Sequence, residues 1–237
     1  MRIARLLTSG GPVAGRYEDG TIHADDGAYE VGVDGRLLPP CEPTALYCVG
    51  RNYAETLEQM EYERPDEPTF FIKPPASLLA HEEPIPCPAF TEELTYAGEL
   101  AAVIDERCRN VDPENVDEVV RGYTILNDVD ALDQPNLPAR KAFDGSAPLG
   151  PWIETDLDPT AIEMHTDING ERRQEASTKQ MLFECDEVVS FLSKRFTFNP
   201  GDVVAFGSPA NPGLLDPGDD IEITYDGVGT LRNTVVE

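Results

Sequence analysis

Glycine, proline and Asp-Gly pairs divide this chain into short apolar runs, and no other feature constrains its fold as much. The runs "ALYCVG", "TFFIK", "ELAAVIDER", "YTILNDVDA" and "GDVVAFG" each suit one buried strand. An Asn-Gly pair in "DINGERR" is typical of a two-residue hairpin turn. Helical patterns are few, at 52–62, 113–123 and 181–196, and they do not alternate with strands as in βαβ units. We therefore predict a mostly β (α+β) fold, a mixed β-sandwich roll with a few short helices.

The first forty residues read as brief strands and turns and predict a small N-terminal β appendage over 1–40. The proline-rich stretch "LLPPCEPT" marks the boundary, and 41–237 is predicted to be the main domain. No apolar stretch approaches the roughly 20 residues that a membrane-spanning helix needs. We therefore expect a cytoplasmic protein.

The charge balance is strongly acidic, with 45 acidic and 18 basic residues and a net charge of −27. Such a field repels nucleic-acid backbones and anionic membranes, so we expect neither partner. Acidic residues spread along the chain and little lysine are typical of proteins kept soluble in concentrated salt, which predicts a halophilic source. The five scattered cysteines and three separated histidines predict neither a disulfide framework nor a histidine-rich metal site.

Two acids and two lysines stand in places that favour chemistry. Glu99 begins a run that looks buried, and Asp128 lies among apolar neighbours in "TILNDVDAL". Lys73 and Lys141 lie beside prolines and apolar residues, where a compact ammonium could stabilise an enolate or a carboxylate. The alternative is structural: each lysine stem packs on the core while its head reaches water, and each acid is a turn or cap residue.

Taken in order, the motifs resemble the fumarylacetoacetate hydrolase family over about residues 37 to 237. They are VGRNY, FIKPP, Y-x-x-E-L-A-x-V-I, G-Y-T-x-x-N-D-V, K-x-F-D followed by P-L-G-P-W, N-G, P-G-D-V and G-S-P-A. The resemblance implies a mostly-β roll, a homodimer and an active site that holds Mg²⁺ or Mn²⁺. It also implies a small-molecule carboxylate substrate, because family members hydrolyse C–C bonds in, decarboxylate or tautomerise 2-oxo and enol acids.

Carried over to this chain, the resemblance makes Glu99 and Asp128 metal ligands and Lys141 the lysine that stabilises the developing enolate. It assigns four further residues to substrate binding: Arg51, Tyr53, Lys73 and Ser208.

Several positions depart from the family pattern, among them Asp130 and Leu132, which replace a serine and an arginine. Ala97 replaces the first acid of a Glu-x-Glu pair, and Thr56 and Gln59 occupy the catalytic lid positions of a histidine and a glutamate. Neither Thr56 nor Gln59 is a plausible general base near neutral pH. We hypothesise that Asp130, on the same face of a strand as Asp128, replaces the acid missing at 97 as a metal ligand. The alternative is that Asp130 is one more acid on an acidic surface.

These features favour an enzyme acting on a small 2-oxo or β-keto acid by metal-assisted C–C bond cleavage, decarboxylation or isomerisation. The altered lid argues most strongly against hydrolysis, because hydrolysis needs a base that activates water. The alternative is a catalytically impaired pseudoenzyme that binds a small carboxylate or a partner, with metal binding weakened or absent if Ala97 is not compensated.

Overall fold

The computed structural model describes residues 1–237, and β-strands dominate it. Strands take up 43% of the residues and helices 15%, so the predicted mostly β fold with a few short helices is confirmed. In chain order the strands are β1 (Arg2–Thr8), β2 (Gly11–Glu18), β3 (Thr21–Ala24), β4 (Gly27–Glu30), β5 (Gly35–Leu37), β6 (Leu46–Gly50), β7 (Thr69–Lys73), β8 (Leu78–Leu79), β9 (Ile85–Pro86), β10 (Leu94–Thr95), β11 (Gly98–Ile104), β12 (Val120–Asn127), β13 (Asp130–Ala131), β14 (Ala147–Glu154), β15 (Glu163–Ile168), β16 (Glu171–Ser177), β17 (Val203–Ala205), β18 (Asp220–Tyr225) and β19 (Gly229–Val236).

The helices are short and lie between strands. The α-helices are α1 (Ala54–Gln59), α2 (Leu137–Lys141) and α3 (Cys185–Ser193), and the 3₁₀ turns are Pro75–Ser77, Pro113–Glu118, Pro159–Ala161 and Thr178–Gln180. None of these helices has the length and apolar character that a membrane-spanning helix needs.

Most strands join one large mixed sheet. Its order is β4-β3-β2-β1-β14-β12-β11-β17-β6-β7, with β5 paired to β1 and β8 paired to β14. The pairs β6·β17 and β8·β14 are parallel, and the others in this sheet are antiparallel. A second sheet has the order β16-β15-β18-β19-β9, and β10 pairs with β13 alone.

Strand β11 shows how the core is divided, because all seven of its residues are buried. Leu100, Ala102 and Ile104 belong to the large core, and Ala101 and Val103 belong to a smaller core. Since side chains alternate between the faces of a strand, β11 is buried on both faces. Glu99 lies two residues before Ala101, so its side chain is on the same face of β11 as Ala101 and Val103. This acid therefore extends the face of the smaller core toward the N-terminal end of the strand.

The N-terminal strands carry a small core of their own, made of Ala4, Leu6, Ile22 and Leu37. β1 attaches them to the large sheet through its antiparallel pairing with β14. The division at residue 40 stays a prediction.

Two local predictions meet different outcomes. The Asn-Gly hairpin forms between β15 and β16, with positive φ at both turn residues, so this prediction is confirmed. The helix predicted over 113–123 is wrong beyond residue 118, where the chain enters β12. Val119 still has a helical backbone conformation, and the β-branched Val120 begins the strand. Gly122, at φ 153°, lies so close to Glu154 that a Cβ there would lie 2.4 Å from its carbonyl oxygen.

Candidate functional site

A cavity of about 780 Å³ opens where β6, β10, β11 and β13 end beside helices α1 and α2. Its volume is in the range of cavities that hold ligands larger than a few atoms. Eight of the ten residues predicted for the site line this cavity: Arg51, Thr56, Gln59, Glu99, Asp128, Asp130, Lys141 and Ser208.

Asp128 lies at the centre of the cavity floor, between two lysines. Its Oδ1 lies 2.7 Å from Nζ of Lys73, and its Oδ2 accepts a hydrogen bond from Nζ of Lys141. The side chains of Lys73 and Asp128 are 0% and 3% exposed, so this contact is an ion pair inside the protein. Buried charges are stable only when they are paired in this way.

Lys73 also donates to two backbone carbonyls, those of Val129 at 3.0 Å and Lys141 at 2.6 Å. Its ammonium is therefore surrounded by three acceptors of the protein itself and lies beneath the cavity. The structure does not bring Lys73 to the cavity surface, where the sequence prediction placed it for substrate binding.

Asp130 is held by a second pair of cations. The guanidinium of Arg140 donates from Nε and Nη2 to its two carboxylate oxygens, at 2.9 and 2.5 Å. Nζ of Lys141 lies 3.0 Å from Oδ2 of Asp130 and so bridges the two aspartates. Asp128 lies in the break between β12 and β13, and only Asp130 belongs to a strand, so the two acids meet at Lys141 without sharing one strand face.

Helix α2 brings both cations of this cluster together. Asn136 caps the helix by accepting a hydrogen bond from the backbone N–H of Ala139, and Pro138 fits its first turn. The last turn places Arg140 and Lys141 next to Asp128 and Asp130, which precede the helix in the sequence.

Glu99 is buried at the edge of the floor, where its Oε2 accepts a hydrogen bond of 2.9 Å from the backbone N–H of Gly207. Gly207 has φ 88°, and a Cβ at this position would lie 3.0 Å from the side chain of Asn52. Burial, with a smaller contribution from the charge of Asp128, raises the pKa of Glu99 to about 8. Glu99 can therefore hold a proton at neutral pH.

Asp128 and Lys141 shift in the directions expected of an ion pair. Burial opposes ionisation of Asp128, but the ammonium groups of Lys141 and Lys73 outweigh burial and hold its pKa below the usual range. For Lys141, burial is likewise outweighed by Asp128 and Asp130, which raise its pKa. Both groups are therefore charged at neutral pH.

Thr56 and Gln59 join helix α1 to the opposite wall of the cavity. Thr56 Oγ1 donates to the carbonyl of Ser208 at 3.1 Å. Gln59 donates to Oδ1 of Asn211 at 3.0 Å and accepts from its backbone N–H at 2.9 Å. Their predicted catalytic roles remain untested, and their contacts are those of residues that hold α1 against the 208–211 loop.

Of three further residues predicted to bind substrate, two line the cavity and one is buried behind it. The guanidinium of Arg51 lies at the cavity, 4.1 Å above the ring of Tyr62. Ser208 also lines the cavity, and its Oγ accepts a hydrogen bond of 3.1 Å from Gln174. Tyr53 is buried and does not line the cavity.

The donor set does not suit the divalent cation that the resemblance implies. Such an ion takes about six oxygen ligands, but no group of three or more acidic, histidine or cysteine side chains in the chain is arranged to hold a metal. Ala97 offers only a methyl group, and both oxygens of Asp130 are bound by Arg140 and Lys141. Asp130 as a replacement ligand therefore gains no support from its contacts.

Among the cavity residues that the sequence prediction did not assign, two are polar groups of interest. Arg140 is adjacent to Lys141 in "ARKAFD", and a pair of basic residues in so acidic a chain was the available signal. Tyr96, the first residue of the motif Y-x-x-E-L, lines the cavity with a buried hydroxyl that has no hydrogen-bond partner, and the motif alone assigned it no role.

Fold and site together define a class: mostly β proteins with a cavity at the strand ends whose floor holds buried carboxylates and a lysine. The family model for the C-terminal domain of fumarylacetoacetate (FAA) hydrolase matches residues 45–236. The chain therefore belongs to the fumarylacetoacetate hydrolase family.

Solved structures and sequence relatives of known activity support this membership. The 5-carboxymethyl-2-hydroxymuconate delta-isomerase from Mycobacterium smegmatis is 36% identical with a TM-score of 0.91, over 100% of this chain and 98% of that one. A fumarylacetoacetate hydrolase from Exiguobacterium antarcticum is 33% identical with a TM-score of 0.88, over 100% and 99% of the two chains. The 4-hydroxyphenylacetate degradation bifunctional isomerase/decarboxylase from Salmonella dublin is 36% identical over 81% of this chain and 46% of its own length. Similar proteins thus include isomerases, decarboxylases and hydrolases.

Proposed function

We propose that this protein is an enzyme that interconverts the keto and enol forms of a small 2-oxo acid. One observation carries the proposal: the ammonium of Lys141 and the buried carboxyl of Glu99 line the same cavity. An ammonium stabilises the negative charge of an enolate, and a carboxyl with a pKa near the working pH can both give and take a proton.

The residues present can balance the reaction. The ionised carboxylate of Glu99 takes a proton from C3 of the keto acid, and the C–H electron pair forms the C2=C3 double bond. The carbonyl electron pair moves onto oxygen, where the ammonium of Lys141 stabilises it. The enolate oxygen then takes the proton back from Glu99, so the acid is converted to its enol without loss of atoms.

The contacts of the lid support proton transfer over hydrolysis. Hydrolysis needs a base that activates water, and Thr56 and Gln59 are engaged with Ser208 and Asn211. Isomerisation needs only an acid–base group and a stabilising charge, and the cavity contains both. The name of the mycobacterial isomerase that resembles this chain agrees with this choice.

The test follows ketonisation of phenylenolpyruvate by the loss of its enol absorbance, in buffers with and without Mg²⁺ or Mn²⁺. We expect Lys141→Met and Glu99→Gln each to lower kcat/KM by about 100-fold or more. Lys194→Met, at an exposed lysine away from the cavity, is the matched control and should leave the rate unchanged. Wild-type rates no faster than the buffer on several enol acids would instead favour a pseudoenzyme that binds a small carboxylate.

A homodimer, a cytoplasmic location and a halophilic source stay predictions. Light scattering of the purified protein at several salt concentrations would measure the mass of the assembly, against a chain mass of 26.0 kDa.

A further inference from the structure

We propose that protein cations, in place of a divalent metal, balance the buried carboxylates of this site, and that Ala97 is the reason. The inference concerns the site of the proposed function, and metal binding tests it whether or not turnover is found. It rests on the positions of three cations and three carboxylates around the cavity floor.

Both carboxylate oxygens of Asp128 are already in ion-pair contact with a lysine ammonium. One oxygen of Asp128 faces Lys73 and the other accepts from Lys141. A metal ion on Asp128 would have to share an oxygen with one of these ammonium groups, against charge repulsion, or displace it. Displacing Lys73 is costly because this lysine has no exposed surface and is also fixed by two backbone carbonyls.

The site has no spare negative charge for a metal ion. Lys73, Lys141 and Arg140 supply three positive charges against Asp128 and Asp130, and against a third carboxylate only when Glu99 is ionised. A divalent cation would therefore leave at least two uncompensated positive charges in a buried site, where charge repulsion is poorly screened. A fourth carboxylate would be needed to favour the ion.

Position 97 is where that carboxylate is missing. Ala97 lines the cavity together with Glu99 and Asp128, and its backbone C=O accepts the N–H of Asp128 at 2.9 Å. A glutamate at 97 would extend into the open cavity from beside these two acids. Ala97→Glu is therefore expected to turn a site balanced by lysines into one that can take a metal.

The experiment titrates Mn²⁺ into protein dialysed against chelator, using calorimetry and the electron paramagnetic resonance signal of free Mn²⁺. We expect no saturable binding by the wild type below about 1 mM, the level at which association is worth only about 4 kcal/mol. Ala97→Glu should acquire one Mn²⁺ site at least about tenfold tighter. Ala97→Gln has the same length without the charge and should not acquire one.

Wild-type binding of one Mn²⁺ with a Kd below about 0.1 mM, lost in Asp128→Asn, would overturn the proposal. A folded Ala97→Glu protein that takes up no Mn²⁺ would overturn the role given to Ala97. If Ala97→Glu does not fold, Ala97→Asp replaces it, and the wild-type titration needs no variant. Turnover that Mn²⁺ restores after chelation refutes this inference while leaving the proposed function intact, whereas absence of turnover under all conditions refutes only the proposed function.

Discussion

At the scale of single residues, Asp128 shows how one buried acid sets the roles of two lysines. Lys73 and Lys141 have similar sequence surroundings, but the first is sealed below the cavity and the second reaches its surface. The difference comes from the carbonyls of Val129 and Lys141, which together with Asp128 surround the ammonium of Lys73 and leave it no donor for a substrate. Lys73 thus supports the site, and Lys141 faces the cavity in which we propose that the substrate binds.

Replacing Lys73 should therefore cost stability. Lys73→Met leaves Asp128 with one cation in place of two, and we expect the free energy of unfolding to fall by about 3 kcal/mol. Urea unfolding followed by circular dichroism measures the change. Lys194→Met, at an exposed lysine, should stay within about 0.5 kcal/mol of the wild type. Unchanged stability with loss of carboxylate binding would restore the predicted role of Lys73 in substrate binding.

Glu99 should make stability depend on pH. Its folded pKa of about 8 lies above the usual value for a glutamate, so the folded protein holds a proton that the unfolded chain releases between about pH 4.5 and 8. The contribution of Glu99 to stability is therefore full below pH 4.5 and is lost as pH rises through 8.

In metal-free buffer, the stability of the wild type relative to Glu99→Gln should fall by up to about 1.4 kcal/mol per pH unit between pH 5 and 8. Urea unfolding of both proteins at four pH values measures this difference in stability. The other titrating groups are the same in both proteins, so their contributions cancel. A difference that is flat across this range would show that Glu99 is ionised in the folded protein throughout.

At the scale of elements, helix α1 is only six residues long, too short to be stable by itself. Leu57 packs into the protein, while Thr56 and Gln59 bind the loop that contains Ser208 and Asn211. Thr56 and Gln59, which were expected to be catalytic, thus hold helix α1 against the 208–211 loop. The sequence could not show this, because the partners lie about 150 residues away.

Gln59→Ala should loosen this wall without unfolding the protein. It removes two hydrogen bonds to Asn211, together worth about 2 kcal/mol, so amides of 54–60 should exchange up to about 30-fold faster. Hydrogen exchange with mass spectrometry reads the change. The control is Glu58→Ala, at an exposed neighbour, which should exchange as the wild type does. Equal rates in all three proteins would rule out an anchoring role for Gln59.

At the scale of the whole molecule, a net charge of −27 is the dominant feature. Many carboxylates lie on the surface with few cations near them, so the folded chain repels itself at low salt. Salt shortens the range of this repulsion from about 10 Å at 0.1 M to about 3 Å at 1 M.

The melting temperature at pH 7 should therefore rise by about 5 °C or more between 0.1 and 2 M KCl, which corresponds to roughly 2 kcal/mol. The gain should be much smaller at pH 4, where many exposed carboxylates are protonated and the repulsion is weak. Scanning calorimetry at both pH values measures it. A gain that is the same at both would attribute the effect of salt to something other than charge screening.

The sequence by itself determined the mostly β fold class, the hairpin at Asn169-Gly170 and eight of the residues that line the cavity, because these follow from local periodicity, turn chemistry and ordered motifs. It also marked the missing acid at Ala97. Only the tertiary structure decided that Lys73 is sealed beneath the floor, that Arg140 holds Asp130 and that Gln59 fastens a wall. Each of these roles depends on which distant groups share a buried space, where an unpaired charge is costly, and no local pattern specifies those neighbours.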